Sequence, residues 1–251
     1  MNLIFSGQNI LLARNKAEFC LPNDVQLEQV QYQVSPILVD NPKVTLVARS
    51  LSDNNLPADL ELVNLRYVLN NFAPDQAQII IYAQQIIHYL EQHKFCSVCG
   101  SQLVKTSDIK WLHCVNCQRE VYPTISPAMI VAVRRGNELL MAQSHHYAAN
   151  SWGLLAGYAV VGEGLEGCVR REVFEEVGIE IDNIRYWGSQ YWPFPHSLMV
   201  GFIADYVSGD IVIDHNELRH AAFYPIDDLP GLPAAKTSIA QRMIDSILNE
   251  K

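Results

Sequence analysis

Apolar and polar positions change their period along this chain, and the changes mark out the elements. Ala128–Val133 and Glu138–Ala142 are short, nearly unbroken apolar runs on either side of Arg135–Gly136–Asn137, a pattern that predicts two buried strands joined by a tight turn. Ser197–Tyr206 and Gly209–Ile213 predict two later strands. Upstream, Gln29–Val34 and Val44–Ala48 predict strands broken by Pro and Asn-Pro signals. The period then lengthens. Leu60–Leu69 follows a helical spacing, and Pro74 and Asp75 open a longer helix with an apolar stripe at Ile79, Tyr82, Ala83, Ile86, Ile87 and Leu90. A last helix covers Ser238 to Leu248.

These elements predict three segments: an N-terminal α+β domain over residues 1–94, a small cysteine-rich ribbon over 95–122 and a mixed α/β domain over 123–251. The fold class is α+β. Hydrophobic residues make up 49% and charged residues 18% of the 251, the composition of a globular protein with real cores. The apolar stretches are too short to span a bilayer, and Met1–Ser6 carries no basic residue before its apolar ones. Neither a membrane span nor a signal peptide is expected, and the expected compartment is the reducing cytoplasm. A net charge of −9 argues against a generic polyanion-binding surface. If the substrate is a phosphate ester, metal ions and a few local Arg or Lys residues must offset the repulsion.

Four of the six cysteines form two Cys-x-x-Cys pairs, Cys96/Cys99 and Cys114/Cys117, separated by fourteen residues. Four thiolates at this spacing suit a tetrahedral structural zinc ion and leave no open coordination position. A redox dithiol and a nucleic-acid-binding ribbon are the rival readings. Cys20 and Cys168 stand alone and are expected as buried small apolar residues.

The densest chemistry lies between Gly157 and Ile179. Glu172, Glu175 and Glu176 share one predicted helix with Arg171, and Gly178 ends it as a left-handed cap. Like charges at i,i+4 destabilise a helix, so a hard divalent cation with oxygen ligands is the natural complement. A solvated acidic face is the alternative. The run Gly-x5-Glu-x7-Arg-Glu-Val-x-Glu-Glu-x-Gly-Ile, nine specified positions in 23 residues, resembles the box of the Nudix hydrolases. That resemblance implies an α/β/α sandwich and hydrolysis of nucleoside diphosphates linked to another moiety. It implies Mg²⁺ or Mn²⁺ held by Glu172, Glu175, Glu176 and the main-chain carbonyl of Ala156. Arg171 would orient Glu163 or a neighbouring carboxylate. Glu217 matches a later metal-binding glutamate of one subfamily, and which glutamate activates water stays open.

Eleven residues past Gly178 begins Ser189–Ser197, which resembles the signature of the NADH pyrophosphatases within that superfamily, with Tyr191 where a proline is usual. Prolines Pro193 and Pro195 stiffen the segment, and Tyr191, Trp192 and Phe194 offer planes for stacking on a base. Gln190, His196 and Ser197 offer hydrogen bonds to ribose or phosphate. By the same resemblance Tyr122 and Ala240 contact substrate. Together these imply cleavage of NAD(H) to nicotinamide mononucleotide and AMP, with NAD-capped RNA 5′ ends as a further substrate and a homodimer as the assembly. A preference for ADP-ribose or another nucleoside diphosphate derivative, and a non-catalytic nucleotide-binding regulator, are the alternatives.

Overall fold

A computed structural model describes residues 2–27, 37–41, 44–50, 56–106, 111–145, 147, 150–233 and 236–250, with backbone alone over 37–50. The strand expected at Gln29–Val34 lies outside the described residues. The chain forms two compact units, one up to Thr124 and one from Ile125 onward. Among the described residues no helix is long and apolar enough to cross a membrane.

The first unit contains β1 (Asn2–Ser6), β2 (Asn9–Asn15), β3 (Glu18–Cys20), α1 (Asp24–Leu27), β4 (Ile37–Asn41), β5 (Val44–Ser50), β6 (Leu60–Asn64), α2 (Leu65–Asn71) and α3 (Pro74–Gln92). Its larger sheet runs β3-β2-β1-β5-β4, with β6 also paired to β2. The helical spacing read over Leu60–Leu69 is thus half wrong. Leu60–Asn64 pairs antiparallel with Ala13–Asn9, and the helix begins only where the Asn64 side chain accepts the Arg66 amide at 3.0 Å. Leu60, Leu62 and Asn64 satisfy a two-residue period as well as a helical one, and β2 supplies the ladder partners that decide between them. In α3 the buried side includes Ala77, Ile80, Ile81, Gln84 and Tyr89, while Tyr82 of the expected stripe is exposed. Gln84 can face inward because its amide donates to the Gly7 carbonyl at 3.0 Å.

A three-stranded ribbon follows, β7 (Leu103–Lys105), β8 (Leu112–Cys114) and β9 (Glu120–Val121). Tyr89 at the end of α3 joins Cys96, Leu103, Leu112 and Cys114 in one buried cluster. Its hydroxyl accepts the Leu112 amide at 2.7 Å and donates to the Val121 carbonyl.

The second unit holds β10 (Ser126–Arg135), β11 (Glu138–Ser144), β12 (Leu155–Tyr158), α4 (Leu165–Val177), β13 (Glu180–Trp192), β14 (Ser197–Ser208), β15 (Leu218–Pro225) and α5 (Ile239–Leu248). Strand β10 is central. It runs antiparallel to β11 and β12 and parallel to β14, in the order β13-β14-β10-β11-β15. Alternate residues of β10 supply two cores. Met129, Val131 and Val133 pack with Cys168, Val169, Val173 and Val177 of α4, and Ile130 and Ala132 pack with Ile239, Met243, Ile244 and Ile247 of α5. A strand covered on both faces reads as an unbroken apolar run, and the result is the α/β/α sandwich.

The strand expected at Gly209–Ile213 does not form. Ile211 and Ile213 do pack on the α4-side core, but the Val212 and Asp214 amides donate to the carbonyls of Val177 and Glu176, both at 2.9 Å. The alternation is real, and its hydrogen bonds satisfy the end of a helix instead of a sheet. The one exposed lone cysteine is Cys20; Cys168 is fully buried. The expectation of burial fails for Cys20 because it ends β3, the edge strand of its sheet.

Candidate active site and metal centre

Helix α4 ends at Gly178, whose φ of 72° and amide bond to the Phe174 carbonyl make the left-handed cap. That cap turns the chain away, and the segment 209–217 folds back over the helix end. Asp214 then organises a turn in which its Oδ1 accepts the Asn216 amide at 2.9 Å, while the Glu217 amide donates to the Asp214 carbonyl at 3.1 Å. This brings Glu217 into the field of Glu176. The Glu176 side chain is buried, 5% exposed, and no described residue donates a hydrogen bond to its carboxyl group. Burial, then the charges of Glu217, Glu172, Asp214 and Glu175, push its pKa up to about 8. Burial also raises the pKa of Glu172.

Arg171 is the counter-charge on the same turn of helix. Its guanidinium bonds Glu163 through two nitrogens at 2.8 and 2.9 Å, Glu172 at 2.8 Å and Glu175 at 2.9 Å. It also donates to the Tyr158 carbonyl at 3.0 Å. The paired bond from Arg171 holds Glu163 ionised, with a pKa of about 2. Gly157, on β12, leaves room for this arrangement: a Cβ there would overlap the Glu172 carboxylate itself. Ala156, beside it, is exposed and pairs with Ile130 of β10.

Five glutamates, Glu163, Glu172, Glu175, Glu176 and Glu217, therefore lie around α4 with Arg171 among them, and no described residue donates a hydrogen bond to the carboxyl group of Glu176, the most buried of the five. By its chemistry that donor set, all oxygen and short of positive charge, suits a hard divalent cation, although its oxygens are not drawn into one compact group as the cysteine sulfurs are.

The aromatic segment is the tip of the β13–β14 hairpin. Gln190, Tyr191 and Trp192 belong to β13 and pair with Met199, Leu198 and Ser197; Pro193–His196 make the turn. Tyr191 is half-buried, and burial pushes its phenol up to about 12. Trp192 and Phe194 meet edge to face, centroids 5.2 Å apart. His196 Nδ1 lies 3.1 Å from Ser126 Oγ, and its carbonyl accepts the Ser126 amide at 3.0 Å. Gln190 donates to the Thr237 carbonyl at 2.9 Å, next to the first turn of α5 that carries Ala240. Among the described residues its Oε1 is a buried acceptor without a partner, a state that native interiors rarely leave unfilled. Tyr122 lies in the first unit, exposed, with its hydroxyl on Glu120 and its ring 5.8 Å from that of Trp111.

The cysteine sulfurs of Cys96, Cys99, Cys114 and Cys117 lie within 4.8 Å of one another, and among the described residues no other such group of metal-ligating side chains occurs. Cys96 and Cys117 Sγ are 3.6 Å apart, Cys99 and Cys114 Sγ 3.4 Å. A tetrahedral ion with metal–sulfur bonds of about 2.3 Å would set sulfurs about 3.8 Å apart, close to what is seen. The two knuckles repeat one turn. Gly100 and Gln118 both have positive φ, 71° and 60°, and donate to the Cys96 and Cys114 carbonyls at 2.9 and 2.8 Å. The Ser101 amide, then its hydroxyl, hold the Cys99 thiol down to about 5.

Two residues at this site escaped the reading of the sequence. Asp214 shapes the turn that delivers Glu217, and its Asp-x-Asn spacing is a signal for such a turn. Tyr158 reaches across the sheet to Ser197, and no local pattern announces that contact.

The NUDIX domain profile matches residues 124–247. The chain is 48% identical over 169 residues to a protein named NAD-capped RNA hydrolase NudC from Chromobacterium violaceum, a match covering 67% of this chain and 63% of that one. The chain thus spans less than two thirds of that relative's length. A protein of the same name from Haemophilus influenzae is 41% identical over 246 residues, covering 96% of this chain and 90% of the relative. A NUDIX hydrolase structure from Nitrosomonas europaea aligns with a TM-score of 0.47 at 22% identity, over 62% of this chain and 88% of that one. With the box complete, the aromatic hairpin in place and near full-length similarity to the Haemophilus protein, this chain belongs to the Nudix family as a NudC-type member.

Proposed function

We propose that this chain hydrolyses the pyrophosphate of NAD(H), giving nicotinamide mononucleotide and AMP, and removes NAD caps from RNA 5′ ends. The observation that carries the reading is the buried Glu176, to which no described residue donates, amid Glu172, Glu175 and Glu217, in the same unit as the aromatic hairpin. The names of the NudC relatives support the substrate class.

In this reading Glu172, Glu175, Glu176, Glu217 and the Ala156 carbonyl hold Mg²⁺ or Mn²⁺. Bound there, the ions neutralise phosphate charge and lower the pKa of water. Arg171 and Glu163 are the fixed pair that aims the Glu172 carboxylate. Trp192 and Phe194 stack against a base, and Gln190 Oε1 accepts an amide or amino N–H from it, filling the buried acceptor. Tyr122 and Ala240 are further substrate contacts, zinc in the ribbon is structural, and the assembly is a homodimer.

Incubation with NADH and Mg²⁺ is expected to give the reduced mononucleotide and AMP in equal amounts by chromatography, and EDTA should abolish both. Intact NADH under Mg²⁺ and Mn²⁺ alike would overturn the reading. Gly157→Ala is expected to lower kcat about 10²-fold, because its Cβ must displace Glu172 and misplacement on the scale of 1 Å costs about that much. A wild-type kcat in that variant would remove Glu172 from the site.

A further inference from the structure

Tyr158 carries two attachments that lead in opposite directions. Its carbonyl accepts from Arg171 at 3.0 Å, which ties its backbone to the carboxylate cluster. Its hydroxyl lies 2.7 Å from Ser197 Oγ, at the start of β14, where the aromatic turn ends. To make that second contact the ring must cross β10. Tyr158 is paired with Ala128 of β10, and Ser197 with Ser126 of the same strand, so the phenol runs diagonally from one row to the next. Ala128, with the smallest side chain available, leaves the path open. Ser197 is 1% exposed, so its hydroxyl has little access to water as a substitute partner and, held by Tyr158, is not presented to ribose or phosphate as the resemblance implied. Ser126 adds a parallel tie to the same turn through His196. The ring of Tyr158 is itself half-exposed, which is unusual for a residue that serves only to fill a core.

We propose that Tyr158 is a positioning residue: through the hydrogen bond between its phenol and the Ser197 hydroxyl it fixes the aromatic turn relative to the strand that carries Ala156 and Gly157. The inference rests on the pyrophosphatase reading. A dinucleotide places its base and its pyrophosphate a set distance apart. An enzyme that holds the two matching sites at that distance before binding loses less entropy when the substrate arrives. Losing the tie therefore weakens substrate binding and leaves the bond-breaking step nearly intact.

The test is a double-mutant cycle on steady-state hydrolysis of NADH with Mg²⁺, using Tyr158→Phe, Ser197→Ala and both together, with thermal unfolding of each protein as the control for folding. One hydrogen bond of ordinary net strength predicts a KM increase of about three- to tenfold for either single variant, with kcat within about twofold of wild type. The double variant should be no worse than the weaker single one, since both remove the same bond. Single variants with unchanged KM, or KM effects that multiply in the double variant, would overturn the proposal. So would a loss confined to thermal stability. Wild-type protein that leaves NADH intact would overturn the pyrophosphatase reading itself, and the tie as a device for that substrate with it.

Discussion

Glu176→Gln is expected to lower kcat for NADH by about 10³-fold, in the range for removing a group that binds the catalytic ions or moves a proton. The same change should stabilise the fold in EDTA, and the gain should depend on pH. The Glu176 carboxyl has its pKa raised to about 8 by burial and by Glu217, Glu172, Asp214 and Glu175, against about 4.3 in an unfolded chain. Between these values the folded state binds the proton more tightly than the unfolded state, so stability falls as pH rises. By pH 8 the loss is on the order of 5 kcal/mol, and below about pH 4 it vanishes. Glutamine cannot ionise and escapes this loss. The melting temperature of the variant should therefore exceed that of wild type by roughly 10 °C at pH 8 and converge with it only near pH 4. Mg²⁺ should stabilise wild type more than the variant. A variant with full activity, or a stability difference indifferent to pH, would contradict the placement of this carboxyl group.

Cys114→Ser should cost the ribbon its metal and its structure. Cys114 is fully buried, in one cluster with Tyr89, Leu103 and Leu112, and few apolar residues support the knuckles otherwise. Zinc binding in small ribbons supplies about 10 kcal/mol or more of apparent free energy, far above what that cluster can replace. Elemental analysis should find one zinc per chain in wild type and almost none in the variant. Limited proteolysis should cut within residues 95–121 of the variant, while wild type resists. On the proposal that Tyr122, which follows directly and is steadied by Trp111 and Glu120, contacts substrate, KM for NADH should rise more than kcat falls. A zinc-free wild type with an intact, protease-resistant ribbon would contradict the structural metal.

The candidate chemistry was largely legible in the sequence because its residues sit close together there. Arg171, Glu172, Glu175 and Glu176 share two turns of one helix, and the cysteines come as two short pairs, so spacing alone suggests their grouping. Gly178 was readable as a cap because only a left-handed residue ends the helix there. The fold was less legible where two periods fit one run, as in Leu60–Asn64, which needed β2 as a partner to become a strand. Strand β13 was unread because its exposed and half-buried residues from Glu180 to Trp192 alternate weakly, and bulges interrupt its pairing with β14. Gly209–Ile213 misled in the other direction, with an alternating pattern whose amides serve a helix end. Contacts across the sheet, such as Tyr158 to Ser197, depend on register between three strands and have no local signal.

The most direct test of the account is a comparison of kcat/KM for NADH, NAD⁺, ADP-ribose and NAD-capped RNA with Mg²⁺ or Mn²⁺, with Glu176→Gln as the blank. The account predicts cleavage of the NAD-containing substrates to the mononucleotide and AMP, or to the mononucleotide and 5′-phosphorylated RNA, at least tenfold faster than ADP-ribose, as expected if stacking of the base contributes about 1.4 kcal/mol or more. ADP-ribose cleaved readily while NADH stays intact would contradict it.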